Sequence, residues 1–322
     1  MPEPTPPPAE LVAAEFGLGA VREPPRYAAR GELGHVWRMA TTSGVWAVKA
    51  LVEPVDGSTG ADIDFQLGLL AAGVPLPRPV RARSGAAVLT GPGGVGYRVY
   101  EWLDLAADQS VGAATAGTLL ARIHARRWPA TAVHPWFYRP VPAEVWPDLV
   151  ARARVARAPW HGLLAGRAGD IVATTGNVTG EPPRDIFRCH LDFNADNLVV
   201  GRDGRPWVID WENSGGADPQ QELMQSLHEL GGRDPVEGPG EARALLAAYR
   251  AAGGTVGRPD LASFSLAFAV QANLLALYAE RALDPTRSRK EQQRAAGRLA
   301  TGLAGLLTVA GARRLLDVCR RG

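Results

Sequence analysis

The stretch HLDFNADN at residues 190–197, followed thirteen residues after Asn197 by the aspartate of VIDW (208–211), decides how this chain is read. It supplies His190, Asp192, Asn197 and Asp210 in the spacing H-x-D-x(4)-N, then a strand ending in Asp. Phosphoryl transfer from a nucleotide needs those groups. One carboxylate accepts the proton of the attacking hydroxyl, while an amide and a second carboxylate hold a divalent cation against the phosphates. Asp192 fits the first role and Asn197 with Asp210 the second. Between them, Leu198-Val199-Val200, the turn Gly201-Arg202-Asp203-Gly204 and Pro206 to Ile209 read as strand, tight turn and strand. Such a hairpin returns the loop and Asp210 to the same edge. A surface loop with two solvated acids is the weaker reading.

Working back from this loop, the next informative residue is Lys49. Lysine occurs only twice in the chain, as Lys49 and Lys290; arginine carries nearly all the positive charge. Lys49 lies inside the apolar strand VWAVKAL (45–51). A buried strand seldom tolerates an unpartnered charge, and a compact ammonium suits the α- and β-phosphates of a nucleotide. Lys49 is therefore a candidate catalytic and nucleotide-binding residue. The alternative, a lysine that blunts an edge strand, loses weight beside HLDFNADN.

With these residues in place, the chain resembles the aminoglycoside phosphotransferase family over nearly its whole length and in the expected order. Gly31 to Arg38 is similar to the family's nucleotide loop and first hairpin, with Gly31, Gly34 and His35 as candidate nucleotide contacts. VWAVKAL is similar to its lysine strand, LLAAGVPLPRPV (69–80) to its helix end and proline-rich turn, and Gly117 to His124 to its G-x-x-L-A-x-x-H helix. Val99 to Leu103 resembles the hinge, whose Glu101, Trp102 and Leu103 would bond the purine through their backbone. The resemblance implies an α+β, protein-kinase-like fold of two lobes. A small, mostly antiparallel β lobe spans residues 1–103 and binds nucleotide. A larger helical lobe spans 104–322 and carries catalysis and substrate binding. It also implies ATP or GTP and Mg²⁺ as cofactors. The HRD, DFG and APE sequences of protein kinases proper are absent at these places.

Two departures stand out. The nucleotide loop has only Gly31 and Gly34. No glutamate marks the partner of Lys49, so Asp62 and Asp64 at the start of the following helix are the candidates, with Asp62 preferred for its helix face. Asp218 before Pro219 reads as a helix cap. Gly91 to Gly96 matches G-x-G-x-x-G, but a strand follows it instead of a helix, so a hairpin loop is the better reading.

Composition narrows the class. A chain of 322 residues is long enough for two lobes with a cleft. A net charge of +2 gives no argument for nucleic acid. No apolar run of about 18 residues is evident, so no membrane span is expected. The start lacks a basic segment and a long apolar core, and two cysteines, Cys189 and Cys319, point to a reducing, cytoplasmic setting. Cys189 reads as a buried filler and His190 as a brace of the loop. Helices are expected at 9–16, 62–72, 111–126, 219–231, 239–252, 258–281 and 286–320.

The acceptor is less legible. Segment 126–188 is rich in arginine and aromatics rather than acids, whereas Glu212, Asp218, Glu222, Glu229, Asp234, Glu237 and Glu241 gather later. Glu212 and Glu222 are the acids best suited to a cationic acceptor. The function expected is transfer of a γ-phosphoryl group to a hydroxyl of an antibiotic, an aminoglycoside or another hydroxylated compound, by a monomer or homodimer. A metabolite kinase of homoserine, choline or sugar type and a catalytically silent kinase-like binding module are the alternatives.

Overall fold

A computed structural model of the chain describes residues 5–31, 34–51, 60–231 and 239–321. Glu32 and Leu33, within the segment expected to form the nucleotide loop, lie outside the described residues, as do Asp234 and Glu237. The chain forms two compact units: Met1–Val111 with Asp196–Ser214, and Gly112–Ala195 with Gly215–Gly322.

The first unit is built on an antiparallel sheet. Its strands are β1 (Arg26–Arg30), β2 (Gly34–Thr41), β3 (Gly44–Leu51), β4 (Pro79–Val80), β5 (Leu89–Thr90) and β6 (Gly96–Glu101), in the order β1-β2-β3-β6-β4, with β5 also on β6. Along β2, Trp37, Met39 and Thr41 are buried and alternate with half-buried neighbours, the period-two signature of a one-sided sheet. Their apolar members join Val48 and Val99 in one core with Val12, Ala13 and Phe16 of α1 (Ala9–Phe16). Helix α2 (Gly60–Ala71) buries Ile63, Phe65 and Leu69. The segment Gly91–Gly96 is a loop between the paired strands β5 and β6, as its sequence context implies.

The second unit holds α3 (Ala113–His124), α4 (Val145–Val155), α5 (His161–Thr175), β7 (Phe187–Cys189), β10 (Gly215–Ala217), α6 (Pro219–Gly231), α7 (Gly240–Ala251), α8 (Ser265–Leu283), α9 (Arg289–Ala304) and α10 (Val309–Arg321). Its core gathers Trp146, Leu149, Trp160, Leu164, Leu275 and Leu299. β7 pairs antiparallel with β10 and leads into the HLDFNADN segment. Asp218 caps α6, accepting the Gln220 N–H at 2.8 Å.

The strands β8 (Leu198–Val200) and β9 (Pro206–Val208) form the expected hairpin, but it belongs to the first unit. Residues 104–111 go with it, so the division at 103 gives way to one at Val111 with an excursion at 196–214. Hydrogen bonding is the reason. Leu105 bridges Gly201, Ala106 N–H donates to Val200 O at 2.8 Å, and Val208 N–H donates to Pro75 O at 2.9 Å.

One helical expectation is corrected. The segment 286–320 is two helices, because Gly305 ends α9 and residues 305–308 leave helical geometry before α10. Residues Leu261–Leu283 are long and apolar enough to cross a membrane by length and composition, but 67% of the apolar window is buried, as in a core helix.

Gly117 of the G-x-x-L-A-x-x-H helix has a packing role. A Cβ there would lie 2.1 Å from the Leu245 carbonyl oxygen of α7. Gly117→Ala is therefore expected to destabilise the protein by about 1–3 kcal/mol, the usual cost of overpacking. Thermal unfolding checks this, and an unchanged midpoint would contradict the close approach.

Candidate active site

The candidate catalytic loop leaves β7 at Cys189 and passes through Leu191, which adopts the left-handed conformation at φ 65°. A branched side chain there is strained and persists only where its surroundings dictate it. Here they do. The Leu191 N–H donates to Glu222 of α6. The other Glu222 oxygen meets His124 Nε2 at 2.7 Å, and His124 Nδ1 meets the Tyr249 hydroxyl at 2.9 Å. Three helices, α3, α6 and α7, thus converge on one backbone amide beside Asp192. Burial pushes the Glu222 carboxyl up, but the His124 bond and charge, with His190 and the Leu191 amide, outweigh it and hold it below its ordinary value. The Cys189 thiol, fully buried near Glu222, is pushed well up, as suits a filler.

His190 is also buried and braces the loop as its position implied: its Nδ1 accepts the Asp192 N–H at 3.3 Å and its ring packs edge-on to Phe193, 6.0 Å between centroids. Asp192 itself is half-buried, and one carboxylate oxygen accepts from Asn194 Nδ2 at 2.6 Å.

In the first unit the hairpin brings Asn197 and Asp210 together. Asn197 precedes β8 and Asp210 follows β9, and the Ile209 N–H donates to the Asn197 carbonyl at 3.0 Å. Asp210 is the second strained position, left-handed at φ 64°. An amide oxygen and a carboxylate are hard donors, the kind Mg²⁺ takes, so the residues fit the cation that the motif implies.

Lys49 of β3 is buried, with Nζ 2.6 Å from Asp210 Oδ1 and 3.0 Å from Glu212 Oε2. Burial lowers the lysine's pKa, yet the two carboxylates outweigh that and raise it. Burial raises Asp210, reinforced by the charge of Glu212. Burial opposes ionisation of Glu212 too, but Lys49 and Arg98 hold it far below its ordinary value. Glu212 also accepts from the Tyr100 hydroxyl at 3.1 Å.

This arrangement corrects two sequence assignments. Asp62 and Asp64, taken as candidate partners of Lys49, form ion pairs with Arg98 at 3.3 Å and Arg81 at 2.6 Å. Glu212 and Glu222, taken as acids for a cationic acceptor, are each 1% exposed at the side chain and bonded inward. Sequence reasoning passed over Arg98 and Tyr100. The signal for Arg98 was the same as for Lys49, a cation inside an apolar strand.

The remaining candidates line the first unit. Gly34 opens β2 where a Cβ would meet the Ala50 carbonyl oxygen at 2.3 Å, so strand pairing alone demands glycine there. The Gly31 N–H donates to Gly34 O at 2.9 Å, and His35 faces the Tyr27 hydroxyl at 3.4 Å. At the end of β6, the Glu101 N–H is taken by Arg78 O and the Trp102 N–H by Val45 O. Among the described residues, no acceptor meets the Leu103 N–H.

Residues 60–264 match the phosphotransferase enzyme family, so the chain belongs to that family. No curated protein matches it. Among solved structures, it is similar to a spectinomycin phosphotransferase in complex with ADP and spectinomycin, at 15% identity and TM-score 0.64 over 91% of this chain and 92% of that one. An amicoumacin kinase in complex with AMP-PNP and Ca²⁺ gives 15% identity and TM-score 0.59 over 93% and 94%. A microcompartment-associated aminopropanol kinase gives 19% and 0.60 over 95% and 99%. The fold is that of the kinase-like phosphotransferases, α+β with an antiparallel sheet in one unit and helices dominating the other.

Glu222→Ala would strand both His124 and the Leu191 amide. It is expected to cost about 3–5 kcal/mol of stability, the usual loss when one partner of a buried pair is removed. Glu222→Gln, which keeps an acceptor for the amide, should recover part of it. Urea unfolding measures both.

Proposed function

We propose that this chain transfers the γ-phosphoryl group of ATP or GTP to a hydroxyl of a small molecule. The observation that carries the reading is Lys49, a buried lysine held against Asp210 by the exit of the β8–β9 hairpin. A scaffold without turnover has no need of a buried ammonium beside a strained aspartate, together with a braced Asp192.

The work divides between the units. In the first, Lys49 meets the α- and β-phosphates, and the Leu103 amide, with Glu101 and Trp102 beside it, takes the base. Gly31, Gly34 and His35 mark the start of the phosphate loop. Asn197 and Asp210 would hold Mg²⁺, which when bound draws charge off the phosphate oxygens. In the second unit, Asp192 orients the acceptor hydroxyl and takes its proton as the oxygen bonds to phosphorus. A loose transition state asks little of the nucleophile, so orientation is the larger part of that help.

The acceptor is a hydroxylated antibiotic, in keeping with the spectinomycin and amicoumacin bound by two proteins of this fold. With Glu212 and Glu222 turned inward, the reading does not favour a polycation over a neutral or aromatic compound. A small amino alcohol is the second reading, favoured by the likeness to the aminopropanol kinase.

The test is nucleoside-diphosphate release with Mg²⁺ across a panel of hydroxylated antibiotics and metabolic alcohols. A strong acceptor-dependent signal is expected. Asp192→Ala should remove it, by about 10²–10⁴-fold as for loss of a general base, while nucleotide binding persists. Asp210→Ala should weaken Mg²⁺-dependent nucleotide binding as well. Full turnover in Asp192→Ala would overturn the assignment of the base. Silence across the panel, with tight nucleotide binding, would favour a binding module.

A further inference from the structure

Lys49 of β3 and Arg98 of β6 are direct cross-strand partners. The sheet therefore sets two cations opposite one another, which costs stability unless each finds an anion. Both are deeply buried, at 9% and 3% side-chain exposure, so water cannot serve. Two acids answer them. Asp62, from α2, reaches Arg98 at 3.3 Å. Glu212 reaches Lys49 at 3.0 Å.

Tyr100 ties the two pairs together. Its hydroxyl donates to Glu212 Oε1 at 3.1 Å and lies 3.5 Å from Arg98 Nη1. The result is a continuous chain of contacts, Asp62–Arg98–Tyr100–Glu212–Lys49–Asp210. Within it the two acids on Lys49 differ. The Asp210 side chain is 25% exposed, whereas that of Glu212 is 1% exposed and fixed by Tyr100. Asp210 is the acid open to a new partner; Glu212 is the one that stays.

We propose that Glu212 is the positioning residue that aims Lys49 at a polyphosphate, and that Asp62 on α2 is committed to Arg98 instead. The orientation of the lysine is then set by the same short turn, Trp211–Asn213, that follows Asp210, and not by a helix. Movement of α2 would leave Lys49 in place. This inference rests on the phosphotransferase reading.

The experiment uses the full-length protein, a fluorescent ATP analogue and Mg²⁺. Glu212→Gln is expected to weaken nucleotide binding at least about tenfold, equivalent to about 1.4 kcal/mol, and to raise nucleotide KM with acceptor KM unchanged. Glu212→Asp should restore part of the affinity. Asp62→Asn should lower the unfolding midpoint yet keep nucleotide affinity within about twofold, because it strands Arg98 rather than Lys49. If Glu212→Gln fails to fold, Tyr100→Phe takes its place; freeing one oxygen of Glu212, it should weaken nucleotide binding by about two- to fivefold, the worth of one hydrogen bond. Wild-type affinity in a folded Glu212→Gln protein, or in Tyr100→Phe where that stands in, would overturn the proposal while leaving the phosphotransferase reading intact. So would an Asp62→Asn protein as impaired as Glu212→Gln. A wild-type protein that binds no nucleotide would overturn both.

Discussion

The buried ammonium of Lys49 is the constraint around which the first unit is organised. A cation in the middle of an antiparallel sheet is tolerable only if anions are delivered to it through the protein. The delivery here is topological. β9 runs out of the hairpin at Val208, the chain turns through the left-handed Asp210, and two residues later Glu212 is brought to the same nitrogen. The hairpin that carries these acids is hydrogen-bonded to Pro75, Leu105 and Ala106, which is why it belongs to the sheet unit despite its place in sequence. Arg98 extends the demand for anions across to the next strand, and Asp62 meets it.

The second unit solves a parallel problem with a different sign. There the strained element is Leu191, and a buried carboxylate holds it. Glu222 divides its two oxygens between the Leu191 amide and His124, and His124 passes its other nitrogen to Tyr249. In both units a left-handed, non-glycine residue stands at or beside the aspartate that the reaction would use, and buried charge fixes it. Strain of this kind costs about 1–3 kcal/mol and is kept where geometry matters more than stability.

Legibility followed the range of the interaction. The 190–197 loop, the hairpin and the lysine strand are local, written in spacing and alternation, and their backbone course was readable in HLDFNADN, VIDW and VWAVKAL. The cap at Asp218 and the glycine loop at 91–96 were readable for the same reason. The partner of Lys49 was not, because Glu212 lies more than 160 positions away in sequence and nothing local ties the two. Asp62 drew attention through its helix position, while the charge it serves, Arg98, lies on a strand. Likewise Glu222 reads from sequence as an acid for a cationic acceptor within the acidic stretch 212–241. Only packing against α3 and the catalytic loop reveals it as an internal ligand of His124 and Leu191. The break at Gly305 was missed because apolar periodicity continues across it.

This inward commitment of acids bears on the acceptor. Recognition of a polycation needs carboxylates that reach solvent, and desolvated acids already paired inside the protein cannot supply it. Glu212 and Glu222 are both spoken for, one by Lys49 and Tyr100, the other by His124 and the Leu191 amide. In the segment after α3, the exposed Arg127 stacks on the half-buried Phe187 ring at 4.1 Å and the exposed Arg139 lies 5.3 Å from the buried Tyr138 ring. Guanidinium–aromatic pairs of this sort present flat, partly apolar surfaces with positive edges. The acids committed to Lys49 and to the Leu191 amide are thus withdrawn from the solvent-facing surface.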